Sequence, residues 1–211
     1  MATPAGNCVA ADCAQARGLL SSRTPTGHWA KCPEAQKGRI HMDFFEAVEQ
    51  RRSVREFGPG AIPEADLAKI LDAGRRAPTG WNYQPREFIA VTAPDVLQKA
   101  LGLLGWDKNC SAMVAVLMQQ RETPSGGYWV EDACAAVENM LLAVTALGYG
   151  SCWVQGGLRK CLKEMRELLG VPKDILLLAV LPIGKPVRAG AQAAKKPLTE
   201  VVHRDRYGCA W

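Results

Sequence analysis

Three guanidiniums and a hydroxyl fall within five residues at Arg51-Arg52-Ser53-Val54-Arg55. Such a cluster repels itself unless an anion sits against it. The forked donors of arginine match phosphate oxygens, with charge-assisted hydrogen bonds of about 1.5–3 kcal/mol each. Basic side chains at a helix end also complement the macrodipole, so this cluster alone leaves both readings open.

Three further patches carry potential chemistry. Ala77-Pro78-Thr79-Gly80-Trp81-Asn82-Tyr83-Gln84-Pro85 reads as an extended loop presenting Asn82 and Gln84, whose amides both donate and accept. That mix suits the edge of a flat, heteroatom-rich ring, although a plain surface loop would have the same composition. Gly148-Tyr149-Gly150-Ser151-Cys152-Trp153-Val154-Gln155-Gly156-Gly157 holds four glycines in ten residues, which lets backbone N–H groups approach a ligand face. It is not the glycine fingerprint of a dinucleotide-binding βαβ unit. Lastly, Leu181-Pro182-Ile183-Gly184-Lys185-Pro186 exits a core strand, and Lys195-Lys196-Pro197-Leu198 follows with a basic pair that could meet the same anion.

The elements that must position these patches are regular from residue 43 onward. Asp43 with Glu46 three residues later forms a capping box opening a helix that runs into the arginine cluster. Gly58-Pro59-Gly60 breaks the chain, and Pro63 starts a second helix with Leu67, Ile70 and Leu71 at helical spacing. Strands are expected at 88–92, 111–118, 151–154 and 175–181, and shorter helices at 94–104 and 158–169. The longest helix spans 130–147, apolar on much of its circumference, with Gly148 ending it. A helix apolar nearly all round is expected to be fully enclosed, and a dimer interface would supply the missing neighbour.

Bulk properties narrow the class. The chain has 211 residues, a net charge of +5, 48% hydrophobic and 22% charged residues, which suits one soluble domain plus a tail. No apolar run approaches the ~18–20 residues of a membrane span. Residues 1–41 hold five basic side chains (Arg17, Arg23, Lys31, Lys37, Arg39) against Asp12 and Glu34, so the rest is nearly balanced. No basic stripe with interleaved aromatics marks a nucleic-acid binder. The eight cysteines and three histidines lack the close pairs a structural zinc needs, so no metal is expected. Free thiols in a reducing cytoplasm account for them better. Residues 1–41 show neither sustained periodicity nor a signal-peptide pattern. They are expected to be an irregular extension, and Met42 the natural start of a domain over 42–211.

In their order and spacing, R-R-S-x-R, A-P-[ST]-x-x-N-x-Q-P, A-L-G-x-G-[ST]-x-W and K-P-L-x-E-V-V resemble the nitroreductase family of FMN flavoproteins, from Met42 to about Tyr207. The resemblance implies an α+β fold, a central mostly antiparallel sheet flanked by helices, in an intertwined homodimer with two flavins at its interface. It implies that Arg51, Arg52, Ser53 and Arg55 hold the FMN phosphate and ribityl end, with Lys195 or Lys196 closing on the phosphate. Asn82, with Pro78, Thr79 and Gln84, would reach the flavin from the facing subunit; Gln155 and Gly156 would meet the ring. Segment 201–211 would embrace the partner. One departure is Arg86, where the family usually carries Trp.

The implied activity is a ping-pong cycle. NADH or NADPH delivers hydride to flavin N5, and a nitroaromatic, quinone or similar small-molecule acceptor then takes it up. The flavin carries the chemistry, so no catalytic side chain is expected. Residues 103–108 and 123–129 are expected to cover the site. Rival readings are a same-fold dehydrogenase, dehalogenase or flavin-fragmenting enzyme, or a non-catalytic flavin-binding module.

Overall fold

The computed structural model describes residues 42–106, 109–120, 127–188 and 190–211. The extension expected at 1–41, with its three cysteines, lies outside the described residues, as do parts of both expected cover segments.

Helix α1 (Phe44–Gln50) opens on the expected capping box: the Asp43 carboxylate accepts the Glu46 N–H at 2.9 Å, and the Glu46 carboxylate accepts the Asp43 N–H at 3.4 Å. Strand β1 (Phe57–Gly58) follows, then helix α2 (Glu64–Arg75) with Pro63 at its N-cap. Strand β2 (Arg86–Val91), helix α3 (Pro94–Leu103), strand β3 (Ala112–Gln119) and helix α4 (Trp129–Ala146) form the middle of the chain. Strand β4 (Gly150–Ser151), helices α5 (Gly156–Lys160) and α6 (Leu162–Leu168), strand β5 (Ile175–Pro186) and the short helix α7 (Leu198–Val201) complete it.

The strands build one sheet in the order β1-β5-β3-β2, with β4 also paired to β5, and every strand pairing is antiparallel. The α+β class with a mostly antiparallel sheet is therefore observed. Helices cover both faces, which explains why β3 reads as an unbroken apolar run. Met113, Ala115 and Leu117 point toward α3, α5 and α6, while Val114, Val116 and Met118 point toward α2 and α4. Strand β5 contains a register shift opposite Val116/Leu117 that leaves Leu178 unpaired. The extra residue reverses facing along β5, so Leu177 and Val180 share one core and Ala179, Leu181 and Ile183 the other.

Several local expectations change. Strand β5 runs to Pro186 rather than 181, because β1 and β4 give its far end partners. The strand expected at 151–154 shrinks to Gly150–Ser151 plus an isolated bridge from Val154 to Val180. The helix expected at 158–169 breaks at Cys161, whose φ of −129° leaves the helical region. Helix α4 buries Ala133, Ala136, Val137, Met140, Leu141 and Val144 as one stripe, while Val130 is 44% exposed and Leu142, Ala143 and Ala146 are half-buried. One chain therefore encloses only one face of α4. No helix of the described residues is long and apolar enough to cross a membrane.

Candidate functional site

Arg51 is the C-cap of α1; its N–H still bonds the Ala47 carbonyl at 2.9 Å, but its ψ of 126° turns the chain extended. The helix stops there because the next residues join the sheet. Ser53 pairs with Ser151 in a parallel bridge, and the Val54 N–H donates to the Ser151 carbonyl at 2.8 Å. Gly150 makes this approach possible, since a Cβ there would lie 2.8 Å from the Val54 side chain.

A second brace comes from the chain leaving β5. Arg52 Nη2 donates to the Arg188 carbonyl at 2.6 Å, and Gln192 Nε2 donates to the carbonyls of Val48, at 2.7 Å, and Arg51. Gly190 lies against Arg52, where a Cβ would stand 3.1 Å from Nε. The arginine cluster, the start of the glycine-rich patch and the segment after β5 thus converge.

Positive charge is in excess at this junction. Arg51 Nε meets Glu138 Oε1 of α4 at 3.5 Å and Arg188 Nε meets Glu56 Oε2 at 3.8 Å, both with half-exposed carboxylates. Among the described residues no carboxylate lies in ion-pair range of Arg52 or Arg55. The Ser151 hydroxyl, beside Ser53, is buried without a described partner. Lys195 and Lys196 are exposed. They follow Gln192 by three and four residues, within about 14 Å of backbone reach.

Pro78, Thr79, Asn82 and Gln84 are brought together in a separate place, at the start of α4. The loop is not extended as expected. It makes a 3-10 turn over Gly80–Asn82, and Trp81, Asn82 and Gln84 take left-handed φ values of 54°, 55° and 50°. Thr79 Oγ1 accepts the Gln84 N–H at 3.1 Å, Asn82 Oδ1 accepts from Gln84 Nε2 at 3.3 Å, and Asp132 Oδ1 accepts the Gly80 N–H at 2.9 Å. Asp132 and Glu138, which touch the two patches, are six residues apart on α4, roughly 9 Å along its axis. No hydrogen bond or ion pair among the described residues joins this loop to residues 51–55.

Gln155 lines a cavity of about 290 Å³ with Trp129, Ala133 and Val137 of α4, Trp153 and Leu177. The Trp153 indole N–H is buried with no described partner. Gly156 is exposed, and a Cβ there would meet nothing within 4 Å, so the backbone at this corner is open to approach. A larger groove of about 810 Å³ beside Arg159, Lys163 and Arg166 contains none of the expected site residues.

Several residues at these places carried no decisive sequence signal. Gln192 and Gly190 sit in an Ala/Gly-rich stretch without periodicity. Ser151 was legible only as part of a glycine-rich run. Asp132 could have been found, because a carboxylate beside the apolar stripe of a long helix is costly to bury unless something pairs with it.

A model of the nitroreductase family matches residues 48–122 and 103–185 in two overlapping stretches. A candidate NADH dehydrogenase/NAD(P)H nitroreductase of Archaeoglobus fulgidus is 36% identical over 149 residues, covering 68% of this chain and 86% of that protein. The FMN reductase (NADPH) of Bacillus subtilis is 25% identical over 184 residues, 77% of this chain and 74% of that one. Among solved structures, a candidate NADH dehydrogenase/NAD(P)H nitroreductase of Parabacteroides distasonis superposes with a TM-score of 0.68 at 26% identity, covering 78% of this chain and 98% of that chain. A family match over most of 48–185, a relative of this identity and coverage, and the shared fold lead to one assignment: the chain belongs to the nitroreductase family.

Proposed function

We propose that the protein is an FMN-dependent NAD(P)H oxidoreductase that reduces nitroaromatic, quinone or similar small-molecule acceptors. The observation that carries this reading is the braced, extended segment 51–55, with Arg52 and Arg55 lacking any described carboxylate and a buried unpartnered Ser151 hydroxyl beside it. A doubly negative phosphoester fits that donor set. The names of the related proteins, FMN reductase and NAD(P)H nitroreductase, supply the cofactor and the electron donor.

Arg51, Arg52, Ser53 and Arg55 would hold the FMN phosphate, with Lys195 or Lys196 added from the segment tethered by Gln192. Gln155 and Gly156 would face the ring across the open corner at the start of α5. Bound there, the isoalloxazine supplies two-electron transfer from NADH or NADPH to the acceptor. The protein's part is to bind, orient and balance charge. Fixed guanidiniums offset the phosphate and cost no reorganisation as charge changes nearby.

The functional unit would be residues 42–211, acting as a homodimer. Supporting this, Phe44 and Phe45 of α1 are 64% and 79% exposed, and Tyr207 and Trp211 near the C-terminus 93% and 60%. Apolar side chains of this size, together with the half-open outer face of α4, suit burial against a second copy. The separate placement of the 77–84 loop then suits delivery of Pro78, Thr79, Asn82 and Gln84 to the partner's flavin. Free thiols buried at Cys152 and Cys161 suit a reducing cytoplasm.

The test is steady-state turnover of the purified, FMN-loaded protein with NADH or NADPH against a quinone and a nitroarene. Acceptor-dependent consumption of the reduced nucleotide is expected, and its absence with both donors and both acceptors overturns the reading.

A further inference from the structure

The 77–84 loop places three non-glycine residues in the left-handed region within four positions, Trp81, Asn82 and Gln84. Backbone strain of this kind persists only where the surroundings over-determine it. Two charged residues outside the loop, Arg86 and Asp132, hydrogen-bond the backbone that leads into it, at Ala77, Pro78 and Gly80.

Arg86 is the first residue of β2, paired with Met118, and its side chain turns back under the loop. Nη1 donates to the Pro78 carbonyl at 3.2 Å and Nη2 to the Ala77 carbonyl. One planar fork thus holds two consecutive carbonyls, a geometry an ammonium reproduces poorly. Asp132 lies in the first turn of α4, 6% exposed, and its Oδ1 takes the Gly80 N–H at 2.9 Å. Burial lowers the Arg86 pKa from the ordinary arginine value, and the nearby Asp132 carboxylate opposes that shift, partly offsetting the cost of burying the guanidinium. Gly80 completes the lock, since a Cβ there would stand 2.6 Å from the Tyr128 ring.

We propose that Arg86 and Asp132 are positioning residues that fix the 77–84 loop before flavin arrives and thereby set flavin affinity, a role that rests on the FMN reading above. Neither residue need touch the flavin. A preorganised loop binds more tightly because its ordering cost is met in the free protein.

The test combines hydrogen–deuterium exchange of the flavin-free protein with FMN titration for the wild type, Arg86→Met, Arg86→Lys and Asp132→Asn. In Arg86→Met and Asp132→Asn, amides 80–84 should exchange about tenfold faster while β3 amides are unchanged. Their FMN Kd should rise about fivefold, with Arg86→Lys intermediate in both measurements. Should either of those two variants fail to fold, Arg86→Lys decides the matter by the same pair of readouts. Faster loop exchange at unchanged Kd, a changed Kd at unchanged exchange, or no change in either overturns the proposal. A wild type that binds no FMN refutes the cofactor reading and this proposal with it; a normal wild type beside unchanged variants refutes this proposal alone.

Discussion

Arg52 Nη2 donates a 2.6 Å hydrogen bond to the carbonyl of Arg188, a residue 136 positions further along the chain. This bond fixes the middle arginine of the cluster against the segment that leads to Lys195 and Lys196. Arg52→Ala should remove one charge-assisted contact to phosphate and loosen that segment together. The FMN Kd is expected to rise about 10- to 100-fold. Flavin-fluorescence titration measures it, and an unchanged affinity would exclude Arg52 from the phosphate site.

Gly150 is where the cluster meets the sheet. A methyl group there would stand 2.8 Å from Val54, so Gly150→Ala must push the 51–55 segment away from β4. Overpacking at such a contact costs about 1–3 kcal/mol. For a domain of this size that corresponds to a melting-temperature loss of roughly 2–4 °C per kcal/mol, and flavin binding should weaken in parallel. A variant that melts and binds like the wild type would show that the Ser53–Ser151 pairing does not hold the arginines in place.

Burial pushes the Cys110 thiol up to about 11 from its ordinary 9.0, the dominant cause being desolvation of the thiolate. Because the folded form keeps its proton longer than the unfolded chain, this group's contribution is fully present below pH 9. It is lost as pH rises toward 11. Cys110→Ala should therefore lose less melting temperature than the wild type between pH 8.5 and about 11. Parallel decline of the two proteins across that window would contradict the assignment.

The capping box at Asp43 and Glu46, the unbroken apolar run of β3 and the stripe along α4 were legible because each is a local pattern with one physical meaning. The arginine cluster was legible for the same reason, as charge density out of proportion to its neighbours. What escaped was set by distant partners. Strand β5 extends to Pro186 because β1 and β4 pair with it, and no residue in 182–186 announces those partners. The loop at 77–84 reads as extended from its prolines. The turn it makes instead is bonded at Gly80 by Asp132, some fifty residues later in the chain, and at Pro78 by Arg86, which resemblance alone marked only as an exception. Gln192 binds the Arg51 carbonyl from a stretch with no pattern at all.

The central claim is that the phosphate of FMN, not the ring alone, is what residues 51–55 recognise. Side-by-side calorimetric titration of the protein with FMN and with riboflavin, which lacks the phosphate, tests it most directly, repeated on the Arg51→Ala/Arg55→Ala double variant. The wild type should prefer FMN by about two orders of magnitude or more, and the double variant should lose that preference. Equal binding of the two flavins to the wild type, or an undiminished preference in the double variant, would contradict it.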